Sequence, residues 1–264
     1  MSRTPLALII FHWLFALFML APLAVVVLVS FTDKGYVALP FDGASLRWYR
    51  ALLDAKDFID SFKLSLGLGV LAATASVILA VPAAMAIAWH RFPGRDAMLG
   101  LLMSPMMVPP IVLGIALLRL FTHLGATGTI WSLAAAHTVI VLPYVLRLVI
   151  AAATGYDQTL SQAAISLGAS PLTVFRRIEL PQLLPGIAGG WIIAFITSFD
   201  ELTMSLFVSG VGTSTLPVRM YNHIANTIDP LLASISSVLI VLTLLLMVVM
   251  DRAFGIDRVL GGKA

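Results

Sequence analysis

The sequence predicts an all-α, polytopic membrane protein with six transmembrane helices. Of its 264 residues 60% are hydrophobic and 11% charged, and the mean hydropathy is +1.02. A soluble fold of this length could not bury so much apolar surface, so lipid is the main solvent. The apolar runs are continuous and near the roughly 20 residues that a helix needs to cross a bilayer core. They lack the period-two alternation of a membrane barrel.

The first run, Leu6 to Ser30, follows Arg3. It exceeds the about 7 to 15 apolar residues of a secretory signal and reads as an uncleaved helix. In the following loop, Phe31 to Phe62, Ser45 is placed to cap a short helix through Leu46, Trp48, Tyr49, Leu52 and Leu53. Trp48 and Tyr49 suit a lipid–water boundary; this helix either seats the first two spans or meets an extracytoplasmic partner. The next runs are Leu64 to Trp89, Ala97 to Leu118 and Ile130 to Ala153. Pro105, Pro109 and Pro110 break the third of these in mid-membrane, as in helices that line cavities. The fifth run, Leu183 to Gly210, is interrupted by Asp200 and Glu201, whereas the sixth, Leu231 to Met250, carries no charge.

Six spans put both termini on one side. With cytoplasmic termini, nine Lys and Arg residues fall inside (Arg3, Arg91, Arg95, Arg147, Arg176, Arg177, Arg252, Arg258 and Lys263) against seven outside. The bias is small, but the short loop at Arg91 and Arg95 and the carboxy-terminal tail lean basic, so the termini are read as cytoplasmic.

Between the fourth and fifth runs lies a polar hairpin, Asp157 to Gly186. Asp157 is placed to cap a helix whose Leu160, Ala164 and Leu167 share a face, and Gly168 follows as its C-cap. Ser170 caps a second helix with Pro171 in its first turn, and Leu172, Phe175 and Ile178 form its apolar stripe. Leu180-Pro181 is expected to end that helix before the next span. Small Ala163 and Ala164 would let another surface approach, while Arg176 and Arg177 suit lipid headgroups or a partner. A structured cytoplasmic loop of this kind calls for a docking partner.

Asp200 and Glu201 are the sharpest chemical feature, since a carboxylate in hydrocarbon costs at least about 2–4 kcal/mol unless it faces water, a cation or a protein partner. They are expected to face the bundle interior, either meeting a cationic amine or bracing the helices. Asp200 is assigned to the translocation pathway, with Glu201, about 100° further round the helix, in a structural pairing. Trp191, Phe195 and Phe199 form one stripe beside them, for packing, lipid contact or cation recognition. The five histidines, His12, His90, His123, His137 and His223, lack the i, i+4 partner of a helical zinc site, so no metal is expected. Cysteine is absent, which excludes disulfides and thiolate chemistry. No G-x-x-x-x-G-K-[ST] segment occurs, since Gly261-Gly262-Lys263-Ala264 fails in spacing and residue type, so ATP is not bound here through a P-loop. Neither G-x-S-x-G nor H-E-x-x-H is present for a membrane enzyme. A secondary transporter or channel would explain the carboxylates but not the capped hairpin.

Gln162-Ala163-Ala164, Gly168, Ile178, Leu180-Pro181 and Pro185-Gly186 together resemble the EAA loop of bacterial ABC importer permeases. Ser198 to Leu202, Ser205 to Gly210, Thr215 to Tyr221 and Leu46-Arg47-Trp48-Tyr49 are similar to the spermidine/putrescine-type group. The resemblance implies a type I importer permease fold, with a first helix and outer loop at 1–60, a permease domain at 61–250 carrying a coupling loop at 157–181, and a cytoplasmic tail at 251–264. It implies a small, cationic, polyamine-like amine as cargo, or another amine such as an opine, aminobutyrate or aminophosphonate, and no enzymatic activity on this chain, ATP and Mg being held by cytoplasmic ATPase subunits. It further implies a second, different permease chain, an extracytoplasmic solute-binding protein, lipid contact and no nucleic acid, all in a bacterial inner membrane. Gln162 stands where the family usually has Glu, so the charged contact expected there is missing.

Overall fold

A computed structural model describes residues 6–40 and 43–254; the expected tail at 251–264, beyond residue 254, lies outside them, as do Arg3, Arg258 and Lys263. Among the described residues there is no strand beyond one isolated bridge between Thr32 and Ala44. The helices are α1 (Leu6–Val29), α2 (Arg47–Asp54), α3 (Lys56–Trp89), α4 (Arg95–Met103), α5 (Pro110–His123), α6 (Ile130–Thr154), α7 (Thr159–Ser166), α8 (Pro171–Val174), α9 (Leu180–Phe199), α10 (Ser205–Val208), α11 (Leu216–Asn226) and α12 (Leu231–Phe254).

Among the described residues four helical segments are long and apolar enough to cross a bilayer, Leu6–Val29, Lys56–Trp89, Ile130–Thr154 and Pro171–Phe199, or five where a bent pair counts as one span. The run at Ala97 to Leu118 is instead two helical pieces, Arg95–Met106 and Pro110–His123, meeting at 102°. Proline geometry accounts for the bend. A 3-10 turn at Ser104–Met106 follows α4, and Pro109 takes ψ 133° because the residue before a proline is pushed out of the helical region. Pro110 then opens α5 at a position where no N–H is needed. In α12 the apolar helix covers Leu231–Leu245.

The chain divides into two compact units, one comprising residues up to Ile59 and from Met220 on, the other Asp60–Arg219. In the first unit α12 packs against α1 and α2. Ser45 Oγ accepts the Arg47 N–H at 3.1 Å from one position before the N-cap, which is Leu46 and has no side-chain bond, so the expected Ser45 cap is displaced by one residue. Trp48 is buried and donates from Nε1 to the Lys34 carbonyl at 3.2 Å. The Tyr49 hydroxyl lies 2.6 Å from Ser30 Oγ and donates to Ser237 Oγ at 3.0 Å. The Trp48 ring thus ties α2 to the loop at Lys34, and the Tyr49 hydroxyl ties it to the end of α1 and to α12.

In the second unit the core is built from Ala72, Ala73, Ala80 and Ala84 of α3, Val141, Val145, Leu146 and Val149 of α6, and Ala194 of α9. The closest pairing, α6 with α9, follows from Gly186, Gly190, Ala194 and Ser198, small residues repeating every fourth position on one face of α9. A Cβ at Gly186 would stand 2.8 Å from the Leu148 carbonyl oxygen, and one at Gly190 3.0 Å from Val145 Cα. Where lipid tails are as apolar as the side chains, such close backbone approach is what favours helix association.

Candidate functional site

The polar hairpin forms between α6 and α9. Asp157 Oδ1 accepts the Thr159 N–H at 3.0 Å, which holds its carboxyl below the ordinary value of 3.8. Gln158, and not the expected Asp157, holds the N-cap position of α7, with no side-chain bond; the contribution of the Asp157 turn bond is present above the ordinary value and is lost as pH falls through the depressed one. Helix α7 closes at Gly168, whose φ of +88° lies in the left-handed region that glycine enters without strain. Ser170 Oγ accepts the Thr173 N–H at 3.4 Å and starts α8 with Pro171 in its first turn.

The second hairpin helix does not end at Leu180-Pro181. It runs through a five-residue π turn, Phe175–Glu179, directly into α9, so that Pro171–Phe199 is one helical segment of 29 residues. Pro181 explains the wider turn: it has no N–H to give, and its ring would crowd the Arg177 carbonyl in a regular helix. Leu180 bonds back to the Phe175 carbonyl instead.

The residues singled out in this hairpin separate by exposure. Gln162, Ala163, Gly168, Ser170, Pro171 and Pro181 are exposed, and Ala164, Phe175, Ile178 and Leu180 are half-buried. Leu160, Leu167 and Leu172 are 50%, 89% and 65% exposed, so the apolar face of the hairpin points away from its own chain. At its base Ser161 is buried; it donates to Glu179 Oε1 at 2.9 Å and lies 2.6 Å from the Tyr156 hydroxyl.

At the other end of α9, Asp200 and Glu201 do not interrupt a helix. They terminate it: α9 ends at Phe199, and the Asp200 N–H closes the last turn on the Ile196 carbonyl at 3.1 Å. The expected helical angle between the two carboxylates therefore does not apply. Twenty residues of α9 span about 30 Å, so these acids stand a full bilayer core away from Leu180. Glu201 turns inward, accepting from the Met204 N–H at 2.8 Å, the Ser205 N–H at 2.9 Å and the Ser205 hydroxyl at 2.9 Å. Asp200 is exposed.

Behind Glu201 runs a buried polar chain that the sequence reading passed over. His137 Nε2 lies 2.9 Å from Ser205 Oγ and Nδ1 lies 2.8 Å from Ser198 Oγ. Ser205 spends its only hydrogen on Glu201, so His137 donates from Nε2 and accepts the Ser198 hydroxyl at Nδ1. The order Ser198, His137, Ser205, Glu201 links α9, α6 and the turn into α10. A lone histidine inside an apolar run and a serine continuing the small-residue stripe were the available signals. The aromatic stripe also finds its neighbours here. Trp191 and Phe195 stack at 5.6 Å, Phe195 and Phe199 at 6.1 Å, and Phe199 meets Phe62 edge-on at 5.9 Å. Trp191 Nε1 donates to Thr74 Oγ1 at 3.1 Å, so the stripe lies against α3.

The apolar helix α9 thus carries the polar hairpin at one end and the two carboxylates at the other, the arrangement of a membrane-embedded subunit with a docking element. Residues 76–256 match the binding-protein-dependent transport system inner membrane component family, and the chain belongs to that family. It is 35% identical over 227 residues to the spermidine/putrescine transport system permease protein PotC of Haemophilus influenzae, covering 86% of this chain and 88% of that protein. It is 33% identical over 233 residues to the putrescine transport system permease protein PotI of Escherichia coli, covering 84% and 82%. The fold is similar to a chain in the crystal structure of a bacterial ABC transporter involved in the import of the acidic polysaccharide alginate. That similarity has a TM-score of 0.73 at 16% identity and covers 96% of this chain and 100% of the other. The protein is thus a multi-pass, non-enzymatic transport subunit of the inner membrane with the fold of an ABC importer permease.

Proposed function

We propose that this permease carries a small cationic amine of the polyamine class inward, driven by ATP hydrolysis on separate cytoplasmic subunits that hold ATP and Mg. The observation that carries the energy coupling is the hairpin at 157–181, whose apolar residues Leu160, Leu167 and Leu172 are turned outward. An apolar patch with a defined shape suits a protein cleft. The missing charge at Gln162 leaves shape and apolar contact to dominate that docking. The hairpin then lies in the cytoplasm together with both termini, and Asp200 faces the extracytoplasmic side.

The kinship with polyamine permeases supports the cargo class, and the Asp200 carboxylate supplies its chemistry. An exposed acid at the outer end of a span replaces part of an ammonium's hydration by a charge-assisted hydrogen bond. Glu201 buttresses the turn that presents it, while Phe199 and Trp191 offer ring faces further along the pathway. A solute-binding protein delivers the cargo, a second permease chain completes the pathway, and nucleotide-driven closure of the ATPase rocks the bundle between two arrangements.

The test is uptake of labelled spermidine and putrescine by proteoliposomes holding the complete transporter, with ATP inside and binding protein outside. Uptake that needs both ATP and binding protein and competes with other polyamines supports the reading. Uptake without ATP, or ATP-driven uptake of an anion with none of either amine, contradicts it.

A further inference from the structure

The hairpin's exposed tip explains docking, but not how a push there reaches the spans. Gly168 between its helices and the π turn at Phe175–Glu179 are both places where a displacement could be absorbed. A π turn carries one residue more than a regular turn and can shift register. Something must hold these joints.

Ser161 has one hydroxyl hydrogen and gives it to Glu179 Oε1 at 2.9 Å. The Tyr156 hydroxyl, 2.6 Å away, must therefore donate to Ser161 Oγ. The result is a directed chain, Tyr156 to Ser161 to Glu179, ending on a carboxylate, where hydrogen bonds are strongest. Its members belong to the turn after α6, to α7 and to the last position of the π turn. Ser161 is buried and the other two are half-buried, so water competes weakly for these bonds. The Tyr156 ring also packs on Trp89, the last residue of α3, at 5.5 Å, and Trp89 Nε1 donates to the Ala153 carbonyl of α6 at 2.9 Å. One cluster thus joins the root of the hairpin to α3, α6 and the start of α9.

We propose that Tyr156, Ser161 and Glu179 are positioning residues for energy coupling: they clamp α7 to the π turn, so that force on the exposed tip moves α9 instead of being lost in the joints. This rests on the hairpin being the ATPase-docking element. The clamp lies behind the docking face, so its removal leaves docking intact.

The experiment compares wild type, Ser161→Ala, Glu179→Ala, Ser161→Thr and Glu179→Gln in the complete transporter. It measures ATPase co-purification, ATP hydrolysis and spermidine uptake in proteoliposomes. Ser161→Ala and Glu179→Ala should co-purify with the ATPase and hydrolyse ATP, while uptake per ATP falls about tenfold, the scale of one charge-assisted hydrogen bond. Ser161→Thr, which keeps the hydroxyl, and Glu179→Gln, which keeps an acceptor, should restore most of the ratio. An unchanged ratio in both alanine variants, or loss of co-purification in both, overturns the clamp. Failure of the wild type itself to co-purify with the ATPase overturns the docking reading on which it rests.

Discussion

Asp200 and Glu201 are adjacent acids with opposite surroundings, and the backbone decides which does what. Glu201 satisfies the Met204 and Ser205 amides, whereas Asp200 at the helix end is exposed. Replacing Glu201 with Ala strands two amide donors and a serine hydroxyl, at a cost of about 1–3 kcal/mol for an unsatisfied buried group. A lower thermal midpoint of the purified permease in detergent is the expected outcome. Asp200→Asn should leave that midpoint, assembly and substrate-free ATPase activity near wild type while uptake falls; undiminished uptake would remove Asp200 from the pathway. The acids themselves were legible in the sequence because charge in an apolar run is conspicuous. The sequence divides them between pathway and structural pairing by a helical angle that does not apply, because α9 stops at Phe199, which no cap residue announces. The role of His137 is hidden in the sequence, because its partners are two serines 61 and 68 residues away and not a ligand at helical spacing.

At the scale of elements, periodicity located most helices, and proline placed the break in the third run. It misjudged the junction at Pro181, where a proline ordinarily stops a helix but here is accommodated by a π turn. The joint at Gly168 was legible, because only a residue without Cβ takes its φ of +88° at little cost. Gly168→Val should impose about 1–2 kcal/mol of backbone strain and uncouple ATP hydrolysis from uptake, read as a lower uptake-to-hydrolysis ratio. The glycines of α9 make a sharper contrast. Gly186→Val places carbon against the Leu148 carbonyl and Ala152, and the recovery of monodisperse permease on size exclusion should collapse. Gly189→Ala, whose Cβ would meet only Leu148 Cδ1 at 3.7 Å, should behave as wild type. Sequence spacing alone could not rank these two positions, because both lie in the same small-residue stretch.

For the whole molecule, composition identifies the solvent as lipid, and the polar hairpin between two apolar runs points to a partner. The interior contacts were hidden because they join residues far apart in sequence, as Trp191 with Thr74 and Ser198 with His137 show. The central claim is that the 157–181 hairpin is where ATP hydrolysis acts on the bundle. The chain has no cysteine, so a single introduced one reports without background. Leu167→Cys places it on the most exposed apolar residue of the hairpin, and Val211→Cys places a control beyond the far end of α9. Permease labelled with maleimide-benzophenone on the introduced thiol, reassembled with its partners and photolysed, should be joined to the ATPase subunit from Leu167→Cys and not from Val211→Cys, with a yield that changes when ATP is bound. An ATPase adduct at Val211→Cys with none at Leu167→Cys would contradict the account.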